Sequence, residues 1–347
     1  MTVSKVPNFF IVGAARSGTT SLWHYLKVHP QVFMPQDELN KEPAYFSDKG
    51  SERGFKSYLE LFGDAQKEHI RVGEASTAYL TDPSSAKRIF EFNRNAKIIA
   101  ILRNPADRAY SLYRWMVQDG YEYAESFEEA LELEKKRTNK NIPNWLEPEY
   151  YWNYMYFKSG LYSAQIKRYL DLFGDNLLVV DFEDFKSQPA SEYMNICKFL
   201  EIEPIEPPYE THNVSKKVLS PSLQFILRKV TYDFISKSNL DKNITRNFIY
   251  SFLNNSWNLY KRSGKKINLN YSWTSFLRFR EEISKANFRY CPTEKKEQRD
   301  FLLNLGTVSG KPPRAKEKTR KFLLTQYQED IYKLELNLQR SFRRWKQ

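Results

Sequence analysis

At 347 residues and 41% hydrophobic, the chain is long enough to bury one large core or two modest ones, which sets aside disorder as its default state. Fifty-four Lys and Arg against 42 Asp and Glu leave a net charge of +12, favouring anionic partners: a nucleotide, a sulfated or carboxylated glycan, nucleic acid or an anionic membrane surface. Two cysteines, Cys197 and Cys291, without a CxxC pair, exclude a disulfide scaffold and a thiolate metal site, and the four scattered histidines have no zinc spacing.

In chain order, the apolar run at residues 8–13 reads as a buried strand, and Thr19 to Val28 as a helix ending near His29-Pro30. Between them lies Gly13-Ala14-Ala15-Arg16-Ser17-Gly18-Thr19-Thr20, whose glycine spacing is that of a nucleotide P-loop. The P-loop lysine position holds Thr19, and the cation of the loop is Arg16. Successive backbone N–H groups and the positive end of the helix dipole suit such a turn to a phosphate-like anion. The opening apolar run is too short to cross a membrane and is already committed to the loop, so the chain reads as soluble and cytoplasmic, without a signal peptide.

Asn40-Lys41-Glu42-Pro43-Ala44-Tyr45-Phe46 sets a charged pair among proline and aromatics. A carboxylate beside a cation stays ionised near neutral pH, which suits a general base; taken alone, the pair reads as a solvated surface pair. Ile70-Arg71-Val72 is a short strand leading into Gly73-Glu74-Ala75-Ser76, and Lys97 to Leu102 is a near-continuous apolar run of a parallel strand buried on both faces. Arg103-Asn104-Pro105 then opens a helix running from Ala106 to Gln118. Arg103, at a strand exit, can offer its fork to a phosphate, and Ser111 follows about two helical turns on. Asp107 and Arg108 read as helix-surface charges.

The stretch from Gly120 to Tyr156 reads as a surface excursion, with an acidic helix over Ser126 to Lys136. An amphipathic helix over Gly160 to Phe173, a buried strand over Asn176 to Asp181 and a helix over Ala190 to Leu200 follow. Val179-Val180-Asp181 resembles the strand and aspartate that hold Mg²⁺ in P-loop enzymes; without the lysine those enzymes need, it reads as a structural strand end. Strand and helix alternate, so the expected fold is α/β: a P-loop-type doubly wound parallel sheet flanked by helices, with a mostly helical insertion. The expected organisation is an α/β core with the cofactor site over residues 1–204, a basic, aromatic insertion over 205–308, and a loop and helix over 309–347 that pack back on the core.

Together these residues resemble the sulfotransferases that use 3′-phosphoadenosine 5′-phosphosulfate, most closely the branch holding heparan sulfate sulfotransferases and their bacterial relatives. The likeness covers roughly residues 7–203 and resumes over about 308–345. It implies that the loop from Gly13 to Thr20, a form of G-x-x-[KR]-x-G-T-T, holds the 5′-phosphosulfate. Arg103 through Ser111 match R-[ND]-P-x-[DE]-R-[AL]-[YF]-S, implying that Arg103 and Ser111 grip the 3′-phosphate. Lys41 to Phe46 match K-E-x-[HA]-[FY]-F, which puts the catalytic base on Glu42 beside Lys41; Arg16, the third catalytic residue, holds the 5′-phosphate and the moving sulfuryl group with the loop amides. Gly160-Leu161-Tyr162 resembles a G-x-Y element that places Tyr162 near the cofactor. The stretch Glu74 to Tyr79 stands beside the acceptor cleft, with Glu74, Ser76 and Tyr79 as acceptor-binding residues beside Glu42. Lys311 and Arg314 stand in for a late basic loop over the cofactor, in a Gly-Lys-Pro-Pro-Arg wording that departs from K-G-R.

The resemblance also accounts for the missing lysine. A sulfuryl group carries less charge than a phosphoryl group, so amide donors and one or two cations suffice without a metal. The implied reaction is sulfuryl transfer to a hydroxyl or amine of an acceptor, a saccharide or glycolipid foremost, leaving adenosine 3′,5′-bisphosphate; no metal, nucleic acid or membrane span is expected. The alternatives are a P-loop kinase for a small metabolite using ATP and Mg²⁺, and a basic glycan- or nucleic-acid-binding protein on the same fold. The aromatics around Trp145, Glu147, Tyr150, Tyr151 and Trp152, and those of residues 215–290, read equally as a saccharide platform and as the packing of a helical insert.

Overall fold

A computed structural model describes residues 6–36, 40–48, 50, 54–137, 142, 148–206, 217–218, 220–222, 224–225, 227–228, 307–308 and 313–346. Most of the expected insertion, and Lys311, lie outside the described residues.

Five parallel strands form the core sheet in the order β2-β3-β1-β4-β5: β1 (Phe9–Gly13), β2 (Val32–Phe33), β3 (Arg71–Glu74), β4 (Lys97–Leu102) and β5 (Leu177–Asp181). Side chains alternate across the two central strands. Phe10, Val12, Ile98, Ala100 and Leu102 face one helical layer, while Phe9, Ile11, Ile99 and Ile101 face the other, and all are 0% exposed. Covering both faces explains why these strands read as continuous apolar runs. The first layer contains α4 (Ser85–Phe92), α5 (Pro105–Gln118), α7 (Tyr162–Phe173) and α10 (Glu317–Leu338); the second contains α1 (Thr19–Lys27) and α9 (Pro189–Leu200). Short helices α2 (Phe55–Glu60), α3 (Ala78–Thr81), α6 (Phe127–Glu134) and α8 (Phe182–Ser187) complete the core, and β6 (Lys217–Val218) pairs antiparallel with β7 (Thr307–Val308).

The chain starts in the middle of the sheet, builds β2 and β3 to one side, and then crosses to β4 and β5 on the other. In such a sheet, ligands bind beyond the carboxyl ends of the strands where the order reverses. The Gly13–Thr20 loop, the segment after Glu74 and Arg103 all leave the sheet at that edge.

Arg108 is not a surface charge: it is 1% exposed, and its Nη2 donates to the Tyr156 carbonyl at 2.7 Å and to Ser159 Oγ at 2.9 Å. Asp107 does face outward, where it accepts from Arg320 Nε at 2.8 Å and so ties α5 to α10. The described part of the Gly120–Tyr156 stretch is not a surface excursion either, since Ala124, Phe127, Tyr154, Met155 and Tyr156 are all buried. Its centre is the fully buried Glu122, held bidentately by Arg137 at 2.7 and 2.8 Å and by the Tyr156 hydroxyl at 2.6 Å. A charge pair and a phenol buried together made the segment look polar in sequence while it was part of the core. None of the described helices is long and apolar enough to cross a membrane.

Replacing Arg108 by Ala removes its bulk and strands the Tyr156 carbonyl, so Arg108→Ala is expected to lower unfolding free energy by about 3 kcal/mol. Arg108→Met, which restores bulk but not hydrogen bonds, should lose less; urea denaturation of the two variants measures the difference.

Candidate active site

The loop after β1 is shaped by its glycines. Gly18 takes φ +87 as the residue before α1, and a Cβ there would meet the Phe182 ring at 3.1 Å. No side chain caps α1, so its first-turn N–H groups face the loop interior. The amide of Ala14 donates to the Ile101 carbonyl at 2.8 Å, which fixes the loop against β4. Arg16 itself lies in the left-handed region at φ 67.

Arg103 leaves β4 beside this loop, where Nη1 donates to the Arg16 carbonyl at 3.2 Å and the guanidinium stacks over Phe182 at 4.9 Å. Asn104, 2% exposed, caps α5 by accepting from Ala106 N at 3.0 Å and Asp107 N at 3.2 Å. Ser111 lies on α5, and Arg114, one turn further, shares its face. Burial pushes Arg16 down to about 10, with Arg103 and Arg114 adding to the effect against Asp119. Burial likewise lowers Arg103 and Arg114, and Arg103 adds to the lowering of Arg114. Among the described residues, no carboxylate hydrogen-bonds any of these three guanidiniums. Arg16 Nε, Arg103 Nε and Ser17 Oγ are moreover buried without a partner. Converging cations, unpartnered donors and an uncapped helix start fit a bound polyanion and little else.

The second half of the site hangs on the segment after β3. Lys41 is buried and its Nζ meets Glu42 Oε1 at 2.7 Å, while Thr77 gives Glu42 Oε2 its amide at 3.1 Å and its hydroxyl at 2.8 Å. The Glu42 side chain keeps one third of its surface exposed (33%), so it is neither the solvated pair the sequence alone suggests nor closed off from an acceptor. Burial would raise its carboxyl, but the Lys41 charge and the Lys41 and Thr77 hydrogen bonds outweigh that and hold it below the usual value.

Several expected contacts sit one layer deeper than the resemblance implied. Glu74, Ser76 and Tyr79 are 0% exposed and so do not line a cleft; their polar groups bond to one another and to the loop carrying Glu42. A carboxylate that leaves the sheet among apolar side chains must take its donors from within the core. Tyr162, also 0% exposed, donates to the Arg103 carbonyl at 3.1 Å, and so stands behind the arginine. Arg314 is exposed, on a segment tethered to α5 where the Tyr110 hydroxyl donates to the Pro313 carbonyl at 3.0 Å. Asp181 caps α8 by accepting from Glu183 N at 2.9 Å, a structural strand end. Among the described residues, no group of three or more His, Cys, Asp and Glu could hold a metal ion. Sequence reasoning missed Arg114 and Thr77; Arg114 lies three residues past Ser111 on one helical face, and Thr77 directly follows Ser76.

The fold is of the α/β class in which ligands bind beyond the carboxyl ends of the strands, and that edge here gathers buried guanidiniums and a cation-paired carboxylate. The chain belongs to the sulfotransferase family: the sulfotransferase domain matches residues 6–267. It is similar to the membrane-associated sulfotransferase kil1 of Dictyostelium discoideum, at 25% identity over 58% of this chain and 57% of that one. It is also similar to the human bifunctional heparan sulfate N-deacetylase/N-sulfotransferase 2, at 27% identity, where the match takes in 58% of this chain but 23% of the relative. The crystal structure of a sulfotransferase from Alicyclobacillus acidocaldarius shares the fold with a TM-score of 0.62 and 24% identity, covering 99% of this chain and 100% of the other.

Thr77→Val deletes one hydroxyl donor to Glu42 and keeps the backbone amide. The Glu42 carboxyl is then expected to titrate higher than in the wild type, as read from carboxyl ¹³C shifts against pH. A depressed carboxyl stabilises the fold above its unfolded value and loses that contribution as pH falls through its folded value. Thr77→Val should therefore lose stability near neutral pH and little in acid.

Proposed function

We propose that this chain transfers a sulfuryl group from 3′-phosphoadenosine 5′-phosphosulfate to a hydroxyl or amine of a saccharide acceptor. The observation that carries the reading is the convergence of Arg16, Arg103 and Arg114, with unpartnered buried donors, at the sheet edge. Two phosphate-bearing ends on one ligand match that surplus of cations, and the heparan sulfate enzymes among the relatives support a saccharide acceptor.

When bound, the donor supplies an activated sulfuryl group and a nucleotide leaving group. The residues of the chain do the rest. Arg16 and the α1 amides hold and neutralise the 5′-phosphate, while Arg103 and Ser111 fix register through the 3′-phosphate. The Arg103 carbonyl accepts from the Tyr162 hydroxyl, and the next residue, Asn104, is pinned by its Nδ2 donating to the Trp345 carbonyl at 3.2 Å. Glu42, ionised because Lys41 and Thr77 hold it so, takes the proton of the acceptor as its oxygen or nitrogen attacks. Lys41 keeps that carboxylate oriented through Oε1.

Adenosine 3′,5′-bisphosphate is expected to raise the melting temperature without Mg²⁺, and Arg103→Ala to abolish the rise. A larger shift with ATP and Mg²⁺ would instead mark a kinase. Glu42→Gln should keep the ligand-induced shift while losing roughly 10²–10⁴-fold in kcat with labelled donor and a glycan panel. Full turnover by Glu42→Gln would overturn the base assignment.

A further inference from the structure

Glu74 has no part in the chemistry above, yet it is fully buried and ionisable at the exit of β3. The segment it opens grips the Lys41–Phe46 loop along its length. The Ala75 amide donates to the Lys41 carbonyl at 3.2 Å, Thr77 holds Glu42, Ser76 Oγ accepts from Ala44 N at 2.9 Å, and the Tyr79 hydroxyl accepts from Phe46 N at 3.3 Å. Ala44 sits at φ 53, a left-handed conformation that alanine adopts only when its surroundings impose it.

The hydrogens decide what Glu74 does there. A hydroxyl has one hydrogen and two lone pairs. Ser76 Oγ gives its hydrogen to Glu74 Oε2, and the Tyr79 hydroxyl gives its hydrogen to Glu74 Oε1 at 2.8 Å. Both oxygens are therefore left as acceptors, and each receives a loop amide. The Tyr58 hydroxyl also donates to Oε1, at 2.8 Å. An ionised carboxylate is acceptor-only and satisfies all three hydroxyls. A protonated or amidated side chain carries hydrogens of its own and forces a hydroxyl to turn its hydrogen elsewhere, for Ser76 or Tyr79 against a loop N–H.

We infer that Glu74 is a positioning residue for Glu42: as an acceptor-only carboxylate it sets the direction of the Ser76 and Tyr79 hydroxyls, and through them the loop that carries the base. This rests on the assignment of Glu42 above. The groups facing Glu74 are Tyr58 from α2, Ser76 and Tyr79 from its own segment and α3, and Glu42 through its field, while Tyr169 from α7 reaches the Tyr79 carbonyl at 2.8 Å. Burial pushes the Glu74 carboxyl up to about 7, the three hydroxyls opposing and the Glu42 charge adding. Glu42 is held low, so an acid limb near neutrality would report Glu74.

The test is kcat against pH, with affinity for adenosine 3′,5′-bisphosphate measured alongside. In the wild type kcat is expected to fall as pH drops through about 7. Tyr58→Phe removes a hydrogen bond to the charged carboxylate and keeps the ring that packs on Tyr45 and Phe46 of the loop. It should move the acid limb to higher pH while leaving kcat on the alkaline plateau near wild type. Glu74→Gln should lower kcat at every pH by roughly 10²-fold, the scale of an ångström-sized misplacement, with nucleotide affinity unchanged. An acid limb unmoved by Tyr58→Phe, or wild-type turnover in Glu74→Gln, overturns the inference. These outcomes are separate from the fate of the base assignment, which Glu42→Gln alone decides.

Discussion

Guanidinium groups repel one another, yet Arg103 and Arg114 stand within the field of Arg16, which burial first of all lowers to about 10, the two arginines adding to it against Asp119. Such an arrangement persists only where the backbone bearing it cannot relax. The rigidity comes from the sheet. β1 and β4 pair through Phe9, Phe10 and Ile11 before the register shifts at Gly13, and the Ala14 amide stays bonded to Ile101 after the strand has turned away. The same strands bury apolar side chains on both faces, so displacing the loop would open the centre of the core. An anion arriving at this point supplies the partner charge that burial has denied these guanidiniums, a gain that a neutral ligand cannot make.

Support for the arginines extends into the last described residues. Trp345 is fully buried, stacked on Phe342 at 4.2 Å and packed on Tyr162 at 5.9 Å. Its carbonyl takes Asn104 Nδ2 at 3.2 Å, while Asn104 Oδ1 caps α5. Arg340 donates to the Val179 carbonyl at 2.9 Å, and Arg340 and Arg344 share Asp184 at 3.3 and 2.8 Å. The segment after α10 thus braces the exits of β4 and β5 together. The Asp184 pairs are partly exposed and contribute little by themselves. Burial of the tryptophan and the backbone bonds fix the geometry.

The parts legible in the sequence were those in which the local pattern and the tertiary environment say the same thing. A doubly buried strand is an apolar run, so Lys97–Leu102 is found residue for residue. A phosphate loop needs glycine where φ is positive, so Gly13 and Gly18 are marked. Where environment contradicts local character, the reading fails. Arg108 is a charge on an amphipathic helix, and no periodicity reveals that Tyr156 and Ser159, about fifty residues on, supply its acceptors. Glu122 and Arg137 cancel each other's charge inside the core, while each looks solvated in the chain. Glu74, Ser76 and Tyr79 lie at the correct edge of the sheet but one layer too deep, because spacing gives position along the chain and not depth.

Glu42 and Glu74 show how depth assigns different roles to the same side chain. One segment, Glu74 to Tyr79, touches both carboxylates, so they differ in donors and not in scaffold. Glu42 has an ammonium at 2.7 Å as well as the Thr77 amide and hydroxyl, which stabilise its charge beyond what burial takes away. Glu74 has hydroxyls alone, and neutral donors do not offset full burial, so its charge is marginal near neutrality. A firmly ionised group serves for accepting a proton from outside. A marginal one, sealed from solvent and wired to a loop, exchanges its proton only with a rearrangement of its hydroxyl partners, which makes the geometry of the first group depend on the protonation of the second.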